Sequence, residues 1–318
     1  MQYMTWKGAE GSELRIAKIA IGSTMRMEML STAEKHRLYD AYRELGGNCI
    51  DTARYYGGGH SEEMVGEYLR SRSCRNEVII STKGGHPGDD APDKGRGGRE
   101  ALMADLEKSL SVLGTDYVDI YWVHKDDLSR PVEEIVDTCN LMLKQGKARI
   151  IGASNFTDDR LEAARTYAVE NGLQPFMGSQ VQWSLPATED RFFAQYGSLV
   201  MTPERYRYYM DRGMFVFAFS SQAQGFFARM AAGGRESIPD FLWEQFGSEE
   251  NLVRLARVQE YAKEHCCSVS APGLAYLMNN RLPCVPIIGA ESVEMLKQSM
   301  EAAELAMTAD EADALFQV

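Results

Sequence analysis

No apolar run in this 318-residue chain is long enough to cross a bilayer, which argues against a membrane-spanning helix. The N-terminal stretch MQYMTWKGAEGSE lacks a basic segment followed by an apolar core, so no signal peptide is expected. Positive charge is in deficit: 34 Lys and Arg stand against 46 Asp and Glu, a formal charge of −12, with no basic cluster. Nucleic acid and anionic membranes both need concentrated positive charge, so neither is expected as a partner. The acidity reads as a solubilising surface. Six cysteines, at 49, 74, 139, 266, 267 and 284, show no CxxC or paired-ligand spacing and read as small residues in a reduced, cytoplasmic setting. The histidines at 36, 60, 86, 124 and 265 form neither HxH nor HExxH, so no metal site is expected. No GxGxxG follows the first strand-like run, which excludes a Rossmann carrier, and the glycines at 57–59 and 95–98 lack the Gly-Lys-Ser/Thr ending of a phosphate loop. GASNF is not GxSxG, so Ser154 has no nucleophile elbow and hydrolysis is disfavoured.

What is present is an alternation of strand-like and helix-like segments. Apolar runs predict strands at 16–21, 49–51, 78–81, 118–122, 149–152, 179–182, 215–219 and 284–287. Amphipathic stretches predict helices at 61–70, 99–113, 132–144, 158–171, 203–212 and 251–264. That count is the count of an α/β fold of the (β/α)8 TIM-barrel kind, read as a single domain over 1–318. The residues before 16 predict an N-terminal β-hairpin, turned at Gly8 and Gly11, that plugs the barrel floor. Pro272 opens an extra helix running to Asn280, and Thr308-x-x-Glu311 has capping-box spacing for a terminal one. Segments 86–98 and 230–238 read as loops on the active face that could serve as lids.

Asp51, Tyr56, Lys83 and His124 each fall at or just beyond a predicted strand end, in NCIDTARYYGGG, EVIISTKGG and DYVDIYWVHKDD. In a barrel, that rim is where polar groups meet a ligand. Gly57, Gly58 and Gly59 supply a tight turn into a helix capped by Ser61. Lys83, held by Asp51, is expected to stabilise tyrosinate and so lower the Tyr56 pKa. Tyr56 then donates a proton to a carbonyl oxygen that His124 orients and polarises. Alone, each residue has a bland reading: a packing tyrosine, a rim ion pair, a satisfied histidine. The four in register favour chemistry. No amino acid supplies hydride, so a nicotinamide cofactor is implied.

These residues resemble an aldo-keto reductase, of the bacterial type, across nearly the whole chain. The resemblance rests on NCIDTARYYG, SEEMVGEYL, STKGG, DYVDIYWVH, GKARIIGASNF, SQVQWSL and VPIIGAESVEML, in that order. It implies a (β/α)8 barrel with NADP(H) or NAD(H) extended across the C-terminal face, and Asp51, Tyr56, Lys83 and His124 as the tetrad. It further implies that Ser154, Asn155 and Gln180 hold the carboxamide, an amide ligand needing both donors and acceptors. Phe219 would stack on the nicotinamide, Ser220 would lie on the pyrophosphate side, and Gly289 would open the adenosine segment.

Departures from the family pattern bear on the cofactor. Glu291, in Gly289-Ala290-Glu291-Ser292, would repel a 2′-phosphate, and Gln298-Ser299 replaces the usual Glu-Asn pair. The loop after Phe219 reads SSQAQGFFARM. NADP(H) is the family default, with Lys297 or Arg229 able to compensate, and NAD(H) is the alternative. Arg54, with Arg26 and Lys125, points to an anionic or polyhydroxylated substrate, against the plainer reading that Arg54 pairs with Glu62 or Glu63. Loops at 25–29, 86–98, 125–129 and beyond Gly225 would choose the small carbonyl or alcohol substrate. The functional alternative is a nicotinamide-binding regulatory or sensor subunit.

Overall fold

Alternate residues of the barrel strands face two different apolar layers. In β6 (Val118–Val123), Ile120 and Trp122 belong to the inner cluster, while Tyr121 and Val123 pack beneath the helices. In β9 (Phe215–Phe219), Phe215 and Phe217 point inward and Val216 and Ala218 outward. A strand buried on both faces has to be written as a continuous apolar run, which is why these segments carry little alternation. The computed structural model describes residues 1–8, 11, 13–23, 30–88, 91 and 94–317.

The wall comprises β3 (Ala20–Gly22), β4 (Cys49–Asp51), β5 (Ile79–Gly84), β6, β7 (Ala148–Ser154), β8 (Gly178–Gln182), β9 and β10 (Cys284–Ile288). All pairings are parallel, and β10 closes the barrel between β9 and β3. Between and beyond the strands lie α1 (Thr32–Glu44), α2 (His60–Arg72), α3 (Arg99–Leu113), α4 (Val132–Lys144), α5 (Asp158–Glu170), α6 (Asp190–Ala194) and α7 (Pro203–Arg212). The C-terminal part adds α8 (Phe226–Gly233), α9 (Asp240–Phe246), α10 (Glu249–Glu264), α11 (Ser270–Met278), α12 (Val293–Met300) and α13 (Ala309–Phe316).

The hairpin pairs β1 (Tyr3–Lys7) with β2 (Glu13–Ala17) and closes the floor as expected. Trp6 stacks on Phe215, the first residue of β9, with centroids 3.4 Å apart and planes at 13°. Trp6, Leu14 and Ile16 join the same cluster as Cys49, Ile79 and Val285 from the wall. Gly11 takes φ +79°, and residues 9, 10 and 12 of the turn lie outside the described residues.

Several boundaries differ from the sequence expectation. The run at 16–21 is two strands, with β2 ending at Ala17 and β3 beginning at Ala20. Between them the Lys18 ammonium reaches the Met278 carbonyl at 3.2 Å as the chain passes from plug to wall. Helix α1 lies outside the expected helices, although Ser31 and Glu34 form its capping box; its buried face is His36, Leu38, Tyr39 and Tyr42 rather than an aliphatic stripe. Ser61 does not cap α2, whose N-cap is Gly59; the Ser61 hydroxyl donates to the Ser23 carbonyl at 3.1 Å. Segment 230–238 is not simply a loop, because α8, anchored by buried Phe226 and Phe227, runs to Gly233 and a 3-10 turn spans Arg235–Ser237. Helix α11 takes Pro272 into its first turn, starting at Ser270 and ending at Met278. The Thr308–Glu311 capping box is present in α13.

Candidate active site

Parallel register carries the polar groups to one rim. Asp51 ends β4 opposite Ser81, and Lys83 lies on β5 opposite Trp122. Beyond the strand ends the backbone stays pinned: Thr52 N–H donates to Ser81 O at 2.8 Å, Arg54 N–H to Lys83 O at 2.9 Å, and His124 N–H to Gly84 O at 2.8 Å. Tyr56 opens the turn Tyr56–Gly59, in which Gly57, Gly58 and Gly59 take φ of 56°, 64° and 102°. Those left-handed values favour glycine.

Lys83 is fully buried and donates to Asp51 Oδ2 at 2.6 Å and to the Thr52 carbonyl at 2.7 Å. Asp51 Oδ1 accepts from Ser81 Oγ at 2.7 Å and from Gln180 Nε2 at 3.2 Å. Ser81 in turn accepts from Trp122 Nε1 at 2.9 Å. A buried ion pair is tolerated when its remaining lone pairs are satisfied, and this carboxylate has three donors. The Lys83 nitrogen lies 4.7 Å from the Tyr56 ring centroid. Tyr56 and His124 meet edge to face at 5.5 Å and 84°.

The electrostatics qualify one expectation. Burial is the largest influence on Tyr56 and raises its pKa; the Lys83 charge and hydrogen bond pull it down, while Asp51 adds to the rise. The net direction is upward, so the expected lowering of the phenol is overturned by its depth. For Lys83, burial works against the charge, but Asp51 and Tyr56 together outweigh it and raise the pKa, keeping the ammonium. Burial, then the charges of Lys83, His86 and Lys125, hold His124 well below the usual imidazole range. His124 is therefore neutral at pH 7, and its buried Nδ1 has no partner among the described residues.

The residues expected to hold a cofactor fall at the ends of four neighbouring strands, β7 to β10. Ser154, Asn155 and Gln180 come together: Ser154 Oγ donates to Gln180 O at 3.0 Å and accepts from Asn155 Nδ2 at 3.0 Å. Asn155, held at φ +59°, accepts from Leu199 N–H at 3.0 Å. Among the described residues, Gln180 keeps its side-chain carbonyl, and Asn155 keeps one amide N–H. This set has both acceptor and donor capacity for an amide ligand, which fits a nicotinamide carboxamide. Phe219 ends β9, the strand paired with β8, and Gly289 follows β10 on the same rim. Phe219 is half-buried, with its ring 6.3 Å from Phe193, and Ser220 takes φ +50°. The loop that follows is tied down, with Ser221 Oγ donating to Ile287 O at 2.7 Å and Gln222 Nε2 to Ser299 Oγ at 3.1 Å.

Sequence reasoning placed His86 in the substrate-choosing 86–98 loop but missed Tyr55; the two rings stack at 3.7 Å and 19°, with His86 4.7 Å from His124. They help line a cleft of about 450 Å³ with Arg54, Lys83, Arg96 and Asp105. Ser81 and Trp122 were missed as well. Ser81 lies two residues before Lys83, on the same strand face, so period-two reading could have found it. Of the three cations behind the anionic-substrate expectation, Arg54 pairs with the buried Glu62 at 2.6 Å, the plainer reading, while still lining the cleft; Lys125 donates to the Tyr196 carbonyl; and Arg26 lies outside the described residues. Segments 25–29, 89–90 and 92–93 of the proposed substrate loops also lie outside them. Among the described residues, no helix is long and apolar enough to cross a membrane, and no three His, Cys, Asp or Glu could hold a metal.

A parallel (β/α)8 barrel with an Asp, Tyr, Lys and His gathered at its C-terminal rim defines a class of carbonyl-reducing barrels. The chain matches the Aldo/keto reductase family over residues 18–318 and belongs to it. It is 30% identical over 283 residues to an aryl-alcohol dehydrogenase GME11368 of Pestalotiopsis microspora, covering 86% of this chain and 69% of that protein. It is 28% identical over 304 residues to the probable aryl-alcohol dehydrogenase AAD4 of Saccharomyces cerevisiae, covering 91% and 88% of the two. A norsolorinic acid reductase of Aspergillus flavus is 28% identical over 325 residues, covering 96% and 76%. The chain is thus an NAD(P)H-dependent oxidoreductase of carbonyl and alcohol substrates.

Proposed function

We propose that the chain reversibly reduces aromatic aldehydes or ketones to alcohols, with Tyr56 as general acid and Asp51, Lys83 and His124 as its partners. The observation carrying this reading is the fully buried Lys83, 2.6 Å from Asp51 and facing the Tyr56 ring. A nicotinamide held at its carboxamide by Ser154, Asn155 and Gln180 would supply the hydride that carbonyl reduction needs. The Tyr56 hydroxyl gives its proton to the carbonyl oxygen, and the adjacent Lys83 ammonium stabilises the tyrosinate left behind. Neutral His124 orients the carbonyl oxygen by a hydrogen bond as charge develops there. With its pKa held up by burial, Tyr56 stays protonated through neutral pH, the form that reduction requires.

The aromatic class draws support from the aryl-alcohol dehydrogenases among the relatives and from the stacked Tyr55–His86 wall. NADP(H) is the preferred cofactor and NAD(H) the alternative, with Ser154, Asn155 and Gln180 taking the carboxamide. Phe219 would take the ring, Ser220 the pyrophosphate side and Gly289 the adenosine end. Residues 1–318 act as one domain, supported by the closed barrel. Cytoplasmic location is supported by six free cysteines. A bacterial-type branch rests on the quoted motifs alone, the named relatives being fungal.

The test is fluorescence titration of wild type and Tyr56→Phe with NADPH and NADH, alongside turnover of an activated aromatic aldehyde. Binding in both proteins with turnover in wild type only is the expected result. Binding without turnover in wild type would favour a sensor subunit and overturn the reductase assignment of the tetrad.

A further inference from the structure

Glu62 is a fully buried carboxylate in the first turn of α2, and the steps above make no use of it. Its Oε2 accepts from Arg54 Nη1 at 2.6 Å and its Oε1 from Thr82 Oγ1 at 2.7 Å. Thr82 precedes Lys83 on β5, and the Arg54 backbone N–H donates to the Lys83 carbonyl at 2.9 Å. One ion pair therefore joins the strand carrying Lys83, the turn carrying Tyr56 and the helix that follows that turn.

From within, the turn is held by backbone hydrogen bonds, Tyr56 N–H to Ala53 O at 3.2 Å and Gly58 N–H to Tyr55 O at 3.1 Å. Three successive glycines with positive φ follow Tyr56, and the α2 N-cap, Gly59, has no side-chain cap. Glycine leaves such a segment many accessible conformations unless something outside it selects one. The Arg54 guanidinium passes beneath Gly59, where a Cβ would fall on it, so glycine is what lets the side chain through to Glu62. A buried carboxylate–guanidinium pair is an inefficient way to stabilise a barrel, since apolar residues of similar volume often do as well or better. Its value is geometric.

We infer that Glu62 and Arg54 are positioning residues that brace the 53–59 turn and hold the Tyr56 hydroxyl beside Lys83, an inference that rests on the reductase reading above. Displacing a reacting group by an ångström costs about 100-fold in rate, so a brace outside the reacting atoms can govern turnover.

The test compares wild type with Glu62→Gln, Arg54→Met and Thr82→Val in four measurements. These are Tm, nucleotide dissociation constant, kcat and KM for the activated aromatic aldehyde, and amide hydrogen exchange across 53–59 without nucleotide. Glu62→Gln is expected to lower kcat by about 10- to 100-fold. KM and nucleotide affinity should stay within about threefold of wild type, and exchange should quicken in 53–59 with the rest of the barrel unchanged. If Glu62→Gln does not fold, Thr82→Val removes one hydrogen bond of the brace and should show the same pattern with about a three- to tenfold loss in kcat. Folded variants with kcat within about twofold of wild type, or with unchanged exchange in 53–59, overturn the inference. If wild type itself binds no nucleotide or reduces no aldehyde, it is the proposed function that fails, and the exchange measurement still decides whether the brace exists.

Discussion

At the floor of the barrel, Trp6 of the hairpin lies flat on Phe215, amid Leu14, Ile16, Cys49, Ile79 and Val285. At the mouth, a buried lysine, carboxylate, phenol and imidazole meet within a few ångströms, and the backbone around them is bent out of its easy conformations. Asn155, Ser220, Ala223 and Gln224, all beyond strand ends on the rim, take positive φ, as do the glycines at 57–59. Left-handed non-glycine residues cost on the order of 1–3 kcal/mol each and persist only where their surroundings impose them. The floor contributes stability by burying apolar area; the mouth consumes it to hold polar groups in place. Variants at the two ends should therefore fail in different ways.

The largest expected effect is at the mouth. Tyr56→Phe should lose about 100- to 10,000-fold in kcat/KM for carbonyl reduction, the range for removing a positioned proton donor. Its Tm and its nucleotide affinity should barely move, because the ring remains and only the hydroxyl is gone. A matching loss of nucleotide binding would mean that the variant disturbs the turn and that the comparison with the floor fails at its first test.

The floor should behave in the opposite sense. Trp6→Ala removes a stacked, nearly buried indole and should cost about 3–5 kcal/mol of unfolding free energy. Denaturant unfolding measures this, and kcat per folded molecule should be kept. A variant that folds normally yet turns over poorly would show that the plug reaches the chemistry, and the division between the two ends would not hold.

The same division explains what was legible in the sequence. Asp51, Lys83 and His124 could be placed because strands have period two and the polar residue after a buried apolar run marks the rim. The plug was legible from the residues before the first wall strand. The break between β2 and β3 was not, because one apolar run at 16–21 serves both the plug and the wall. Helix α1 escaped because its buried face is two tyrosines, a histidine and a leucine instead of an aliphatic stripe. The Tyr55–His86 stack joins two loops, and no spacing rule brings loop side chains together. The direction of the Tyr56 shift depends on depth. A neighbouring lysine can be read from the sequence, but the burial that outweighs it cannot.

A pH experiment sharpens the contrast. His124 has a folded-state pKa well below its ordinary value, so between the two values the unfolded chain binds a proton that the folded chain does not. Stability then falls as pH drops below about 6.5, with a slope of at most about 1.4 kcal/mol per pH unit from this group. His124→Gln should flatten that acid-side slope in urea unfolding measured from pH 7 to pH 5. An unchanged slope would place the acid sensitivity elsewhere and show that His124 does not need to be neutral for the mouth to form.

The smallest effect is expected farthest from the chemistry, on the β10 side of the rim. Glu291 is exposed, two residues beyond Gly289, where the family resemblance places the adenosine end of the cofactor. An exposed charge acts through water and salt, so it is worth only about 0.2–1 kcal/mol. Glu291→Gln should therefore raise NADPH affinity relative to NADH by about two- to fivefold at low ionic strength, and by less in 0.5 M salt. Fluorescence titration of both nucleotides reads the ratio directly. A ratio that stays fixed at low salt would mean that the 2′-phosphate does not lie near this side chain, and the adenosine end would have to be sought along the Gln222–Ser299 link instead. Because Tyr56 and Lys83 are untouched, kcat should be unchanged, and that makes the experiment a test of where the cofactor's far end lies.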